Sequence, residues 1–446
     1  MSQVATILRH EWRQVRRRPL MWIVLCLYLA VGWMAATTNQ RAAREEHQRV
    51  EQLLEEAAQA RRQATAPGDT AVLPVAPLAA VSVGQSDLLP RTVGISVMNK
   101  QRTPEDRYGF ENPDLLSLAR LDPAAVLVLL LPLIVIALAH DLLARERDDG
   151  VLLLVLAAGG SIPRLLAAKV LLLGSLIVVA TLAPVAFATR GYTGAAAADV
   201  LVWHLAVISA VLFWLLLAAR INMGPGRAGR NAAWLLGSWV GLTFVAPAAV
   251  QVAAAVTSPI PSRLLSVTAS RENPRVFVPA VPELAEEWYQ IHGDLRTAER
   301  HPGTVLRDFN AGFFLVQNKM DLQAAPHEAA LEAALERQQA MVRAAALIVP
   351  SIGWREALDC LAGTDVGRYQ AFRRQAEAFR VEWRRFVGTR VLHGQRLDAS
   401  DHLARPAFTF AEPRPRALNA AGVLVGPALA VLLAAVAIVY AARRTG

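Results

Sequence analysis

The sequence predicts an all-α polytopic membrane protein, with six transmembrane helices carrying a helical extracytoplasmic domain. Three observations lead there. Hydrophobic residues make up 54% of the 446 and charged residues only 19%. The apolar residues gather into runs near the length that crosses a bilayer, about 20 residues, and mean hydropathy is +0.32. Arginines crowd the short connections between runs, where they orient the chain in a membrane, so a net charge of +9 does not call for nucleic acid.

Taken in order, residues 1–18 carry Arg9, Arg13, Arg16, Arg17 and Arg18 at the spacing of an amphipathic helix on the cytoplasmic surface. Residues 19–36 are the first span, with Trp22 and Trp33 near its ends, where indole rings favour the interface. No A-x-A site closes this run, so it is expected to stay as an uncleaved span. Residues 37–122 form a first extracytoplasmic segment: a charged helix at 40–63, then Pro-, Gly- and Ser-rich loops with little regular structure. Further spans are expected at 123–139, 170–188, 200–219, 232–256 and 420–441. The fifth contains Gly237 and Gly241, a G-x-x-x-G helix-packing pattern whose default use is contact within the chain.

Residues 140–169, between the second and third spans, hold an apolar stretch from Val151 to Ala158 that is too short to cross. Arg145, Glu146, Arg147, Asp148, Asp149 and Gly150 precede it, and Arg164 and Lys169 follow. Such a segment lies along the membrane with its charges in water, and it offers a docking point for a soluble partner. The N-terminus, this segment, the 220–231 linker and the C-terminus are all Arg-rich, which places both termini in the cytoplasm and both long excursions outside.

The second excursion, 257–417, carries 21 Lys and Arg against 19 Asp and Glu, so it is not a polyanion-binding surface. Helical patterns run at about 281–298, 303–324, 327–349 and 366–388. In the last, Tyr369, Phe372, Phe379, Trp383 and Phe386 step by three and four residues, the stripe of a domain core. The two cysteines, Cys26 and Cys360, fall in a span and in the polar region and are expected to stay unpaired. There is no phosphate-binding G-x-x-x-x-G-K-[ST], no G-x-S-x-G, no H-E-x-x-H and no C-x-x-C; GPGRAGR at 224–230 lacks the lysine. The histidines His292, His301 and His327 are dispersed, so no catalytic or metal site is expected.

Four stretches resemble the permease subunit of type-2 ABC exporters, in the bacterial subfamily with a large extracytoplasmic domain between spans five and six. ILRHEWRQVRRRP resembles the surface helix that opens these permeases. Glu146, Gly150 and Leu152, then Ser161, Arg164 and Lys169, are similar to their E-x-x-x-G-T-L…S-R…K coupling region, with Val151 in place of the threonine and Ile162 and Pro163 between serine and arginine. The six-span layout and PSIGWREALDCLAGTD at 350–365 complete the likeness. The resemblance implies a subunit that is not itself an enzyme and binds no cofactor directly. ATP and Mg would sit on a separate ABC ATP-binding subunit docked on the 140–169 segment. It further implies a second permease (a homodimer or a related chain), a periplasmic partner, membrane lipid, no nucleic acid, and the bacterial inner membrane. The alternative is a membrane-anchored scaffold whose outer domain recruits a partner without transport.

Overall fold

The structure is a computed structural model that describes residues 3–62, 68–86, 89–96, 121–157, 161–262, 281–293, 309–392, 404 and 406–445. Six helices are long and apolar enough to span: TM1 (Pro19–Gln59), TM2 (Pro123–Asp148), TM3 (Ile162–Ala188), TM4 (Ala197–Asn222), TM5 (Ala228–Thr257) and TM6 (Arg416–Ala441). The chain is an all-α polytopic membrane protein. The amphipathic α1 (Gln3–Arg16) precedes TM1. Six crossings put it on one side of the spans with the TM2–TM3 and TM4–TM5 connections, hereafter the termini side; the two long excursions share the other.

Several boundaries differ from those read off hydropathy. TM1 does not stop at 36: the helix continues as one piece to Arg62, 44 residues, because no Gly or Pro interrupts 37–62. At about 1.5 Å per residue it is roughly 66 Å long, twice the hydrocarbon thickness, so the expected 40–63 helix is its projecting half. The segment after it is not all loop. Gly68–Val72 (β1) and Thr92–Ser96 (β2) pair antiparallel, with Gly68 opposite Ser96. TM3 begins at Ile162, eight residues early, with Pro163 in its first turn, where a missing N–H costs nothing.

In the second excursion, α4 (Val281–Ile291) agrees with the expected start. The next two expected helices are one, α5 (Phe309–Ala345), which runs through Pro326. Residues 294–308, including His301 and the ends of two expected helices, lie outside the described residues. The aromatic stripe lies on α7 (Val366–Leu392) and is core, as its spacing predicts. Phe372 and Trp383 are fully buried and Phe379 nearly so; Tyr369 and Phe386 pack on the edge of the same cluster. Trp288 of α4, Phe314 of α5 and the strand residues Val93 and Ile95 complete it, with Phe408 and Phe410 stacked edge-on against Phe372.

Hydropathy gives no hint of α6 (Pro350–Ala362). The end of α5 descends along TM5, the chain turns at 346–349, and α6 climbs back between TM4 and TM6. At the tip, Ser351 donates to the carbonyl of Leu242 in TM5 at 2.5 Å, and Trp354 Nε1 donates to Ser209 Oγ in TM4 at 3.0 Å. Gly353 meets TM6 so closely that a Cβ there would lie 2.6 Å from Pro427 Cγ. Leu242, Ser209 and Pro427 lie 15, 12 and 11 residues from their spans' excursion-side ends, or about 16–22 Å at 1.5 Å per residue. The hairpin is therefore re-entrant, its tip halfway along the spans. Gly363, at φ +65°, ends α6, and its N–H returns to Asp359 and Cys360.

Candidate functional site: a braced elbow on the termini side

The regular helix of TM2 ends at Ala139, and the chain from there to TM3 is built as two short helices, α2 (Ala144–Asp148), which is the last part of the apolar stretch bounded above as TM2, and α3 (Val151–Ala157). Gly150 separates them at φ +73°, a left-handed conformation in which a side chain would be strained. Nothing lies within 4 Å of where its Cβ would be, so it is the backbone angle that calls for glycine here.

Beneath this elbow is a buried brace. Lys169, two turns into TM3 and 6% exposed, donates to the carbonyl of Leu142 at 2.8 Å and forms a close ion pair with Glu146 of α2. Glu11 of α1 approaches the same ammonium at 3.9 Å. Burial pushes the Glu11 carboxyl above its ordinary range, and Lys169 holds it partly back. The other oxygen of Glu146 has no hydrogen-bond partner among the described residues. A charge taken out of water needs an opposite charge beside it, and one lysine here serves two acids from two other elements.

A second set of bonds ties the elbow to the TM4–TM5 linker. Arg147 reaches across from α2 and donates to the carbonyls of Asn222, Gly224 and Gly226 at 3.1, 2.9 and 3.3 Å. Asn222, fully buried at the end of TM4, donates to the carbonyls of Ala139 and Ala218 and accepts from Leu143 N and Asn231 Nδ2. Both donors and the acceptor of its amide are used, the condition for burying one.

The residues expected at a docking surface therefore divide. Glu146 and Lys169 are inside, and the expectation that they face solvent is corrected: TM3 starts earlier than hydropathy suggests, so Lys169 belongs to a span and recruits Glu146 as its counterion. Arg147 is bonded to backbone. Arg145, Asp148, Asp149 and Arg164 lie on the surface, with Arg145 and Asp149 3.9 Å apart. α3 adds an exposed apolar face: Leu153 and Leu154 are 74% and 71% exposed. Glu11, Asn222 and Asn231 are brace residues that no motif singled out. Among the described residues Gly237 and Gly241 do not make the contact within the chain that their spacing suggests; a Cβ at either would meet none of them within 4 Å. TM5 stands at the edge of the bundle with most of its length uncovered.

A similar construction ties the excursion side together. Arg368 of α7, buried, donates to the carbonyls of Pro74 and Gly363 and forks onto Glu412 at 2.8–3.1 Å. Glu412 also pairs with Arg416 of TM6 at 3.0 Å, and Arg416 with Asp199 of TM4 at 3.4 Å. The outer domain is thus fastened to the spans.

The elbow is thus an exposed, partly apolar tip on a charge-braced base joined to TM2, TM3, TM4, TM5 and α1. Six apolar helices long enough to span, among the described residues, and this elbow joining four of them define a polytopic membrane protein. Residues 5–259 match the ABC-2 family transporter proteins, and the match covers more than half of the chain. The chain belongs to that family, as a transport permease domain. Residues 278–411 match a domain of unknown function, DUF3526. No curated protein and no solved structure matches the chain.

Proposed function

We propose that the chain is the transmembrane subunit of an ATP-driven exporter, paired with a second permease and served by separate ATP-binding subunits that hold the ATP and Mg. The observation that carries this reading is the elbow. α3, flanked by Arg145, Asp148, Asp149 and Arg164, offers an exposed contact surface, while Glu11, Glu146, Arg147, Lys169 and Asn222 convert force on it into motion of four spans and α1. In this reading both termini are cytoplasmic, the membrane is the bacterial inner membrane, and the outer domain faces the periplasm, where it can meet a partner. The scaffold alternative is disfavoured by the Arg368–Glu412–Arg416–Asp199 chain, since a recruiting module needs only a tether.

Topology is tested with single cysteines in intact cells, in a background lacking Cys26 and Cys360. Arg374→Cys, exposed on α7, is expected to react with a membrane-impermeant maleimide, and Asp149→Cys to react only after lysis. The reverse pattern would overturn the orientation.

A further inference from the structure

TM2 and TM5 share a local device. Each contains a π-turn, Val126–Leu130 in TM2 and Gly241–Val245 in TM5, and each has a proline two residues beyond it, Pro132 and Pro247. The N–H of Leu131 reaches back five residues to Val126, and that of Ala246 to Gly241. In TM5 the next carbonyl, Leu242, would take its bond from residue 247, and proline has no N–H to give. A carbonyl freed inside a membrane span must find a donor within the protein. Leu242 finds it in Ser351, at the tip of the re-entrant hairpin. In TM2 a carbonyl inside the π-turn, that of Leu129, accepts from the indole of Trp239, one turn from the TM5 π-turn, at 3.2 Å.

The circuit closes at the end of TM2. Asp122, 2% exposed, caps that helix by accepting from Ala125 N at 2.5 Å, and accepts from Val83 N at 2.8 Å. It also pairs at 3.3 Å with Arg355 of α6, whose Nε lies 3.2 Å from Asp359 in the same helix. Polar contacts therefore run from α6 to the TM5 π-turn, through Trp239 to the TM2 π-turn, along TM2 to Asp122, and back through Arg355 to α6. At the hairpin tip Leu347 and Ile348 are 52% and 82% exposed, while Val349 and Ile352 are each 8% exposed, and the tip is seated by Ser351, the fully buried Trp354 and the close glycine contacts.

We infer that the two π-turns are a coupled pair of hinges and that the re-entrant hairpin α5–α6 is the piece that couples them. TM2 and TM5 bend together, and the hairpin tip shifts in its seat as they do. π-turns are local departures from the regular hydrogen-bond ladder and recur at functional positions in helices. Here the TM5 turn is bonded to the hairpin directly, and TM2 is tied to it through Trp239 at its π-turn and through Asp122 and Arg355 at its start. The inference is independent of which protein drives the elbow, and its test needs no ATPase.

The test places Val349→Cys, at a tip position 8% exposed and packed between TM5 and TM6, in full-length protein lacking Cys26 and Cys360, reconstituted in nanodiscs, and follows its rate of reaction with an impermeant maleimide. The decisive variant is Trp239→Phe, which keeps an aromatic ring against Phe244, removes the indole N–H with the ring that carries it, and lies outside the hairpin. It is expected to raise the labelling rate at position 349 about fivefold, which at 1.4 kcal/mol per tenfold corresponds to about 1 kcal/mol, one hydrogen bond. Ser351→Ala is expected to do the same, and the double variant to fall short of the product of the two, because both open one circuit. If either variant lowers the yield of folded protein, Arg355→Lys replaces it, keeping the charge and losing the fork, with the same expected rise. Labelling that responds to Ser351→Ala and not to Trp239→Phe would overturn the inference by confining the hairpin to a local seat. Labelling unchanged in every variant would overturn it as well.

Discussion

Removing the lysine at the centre of the brace is the perturbation whose outcome the geometry fixes most closely. Lys169, Glu146 and Glu11 are 6%, 9% and 7% exposed, so the ammonium is the counterion of two acids that water does not reach. Lys169→Met keeps most of the side-chain volume and leaves those acids facing each other. Breaking a buried pair by deleting one partner costs about 3–5 kcal/mol, and the upper half of that range is expected because two carboxylates lose the same partner. Lys169→Met with Glu146→Met removes the unpaired charge at closest range. Apolar replacement of a whole buried pair is often neutral, so most of the loss should be recovered, with Glu11 taking up a proton. Arg145→Met, on an exposed pair 3.9 Å from Asp149, should cost roughly 0–1 kcal/mol. Reversible unfolding by SDS in mixed micelles, read by tryptophan fluorescence, measures all three. A coupling energy of at least about 2 kcal/mol between residues 169 and 146 is expected. A Lys169→Met cost no larger than that of Arg145→Met, or strict additivity in the double variant, would refute the brace.

The pH dependence of stability should carry a mark of Glu11. Its folded pKa is raised above the unfolded value, so the folded state binds the extra proton. That stabilisation is complete below the ordinary carboxylate range and is lost as pH rises through the folded value; Glu11→Gln should flatten this fall in a pH series of unfolding midpoints. Gly150→Ala forces a side chain into φ +73° and should cost roughly 1–2 kcal/mol, measured by the same unfolding assay. Trp383→Ala should cost about 3–5 kcal/mol, seen as loss of protease resistance in the outer domain, because the ring is fully buried among the described residues.

The six spans were legible because hydropathy integrates over about 20 residues and tolerates errors at the ends. The aromatic stripe of α7 was legible because Phe372, Phe379 and Trp383 repeat at helical spacing. What escaped depends on contacts between distant residues. Lys169 reads as a flanking charge until Glu146 and Glu11 are brought to it by TM2 and α1. Asn222 looks like the polar end of a span, and only Ala139, Leu143 and Asn231 around it make it a hub. The hairpin tip at 346–349 is apolar but too short to register as a span; Pro350 at the start of α6 and the small residues Ser351 and Gly353 were its signals. Gly237 and Gly241 misled because their spacing reports a capacity for close approach and says nothing about which helix arrives.

On the proposed function, α3 is the contact surface for an ATP-binding subunit. The most direct measurement places a photo-crosslinking amino acid at Leu153, 74% exposed on α3, and at Leu54, 47% exposed on the projecting half of TM1, in cells expressing the full chain. The account predicts a crosslink from position 153 to a protein with a phosphate-binding P-loop, and none to that protein from position 54. Crosslinks from 153 only to lipid, or equal capture of the same protein from both positions, would contradict it.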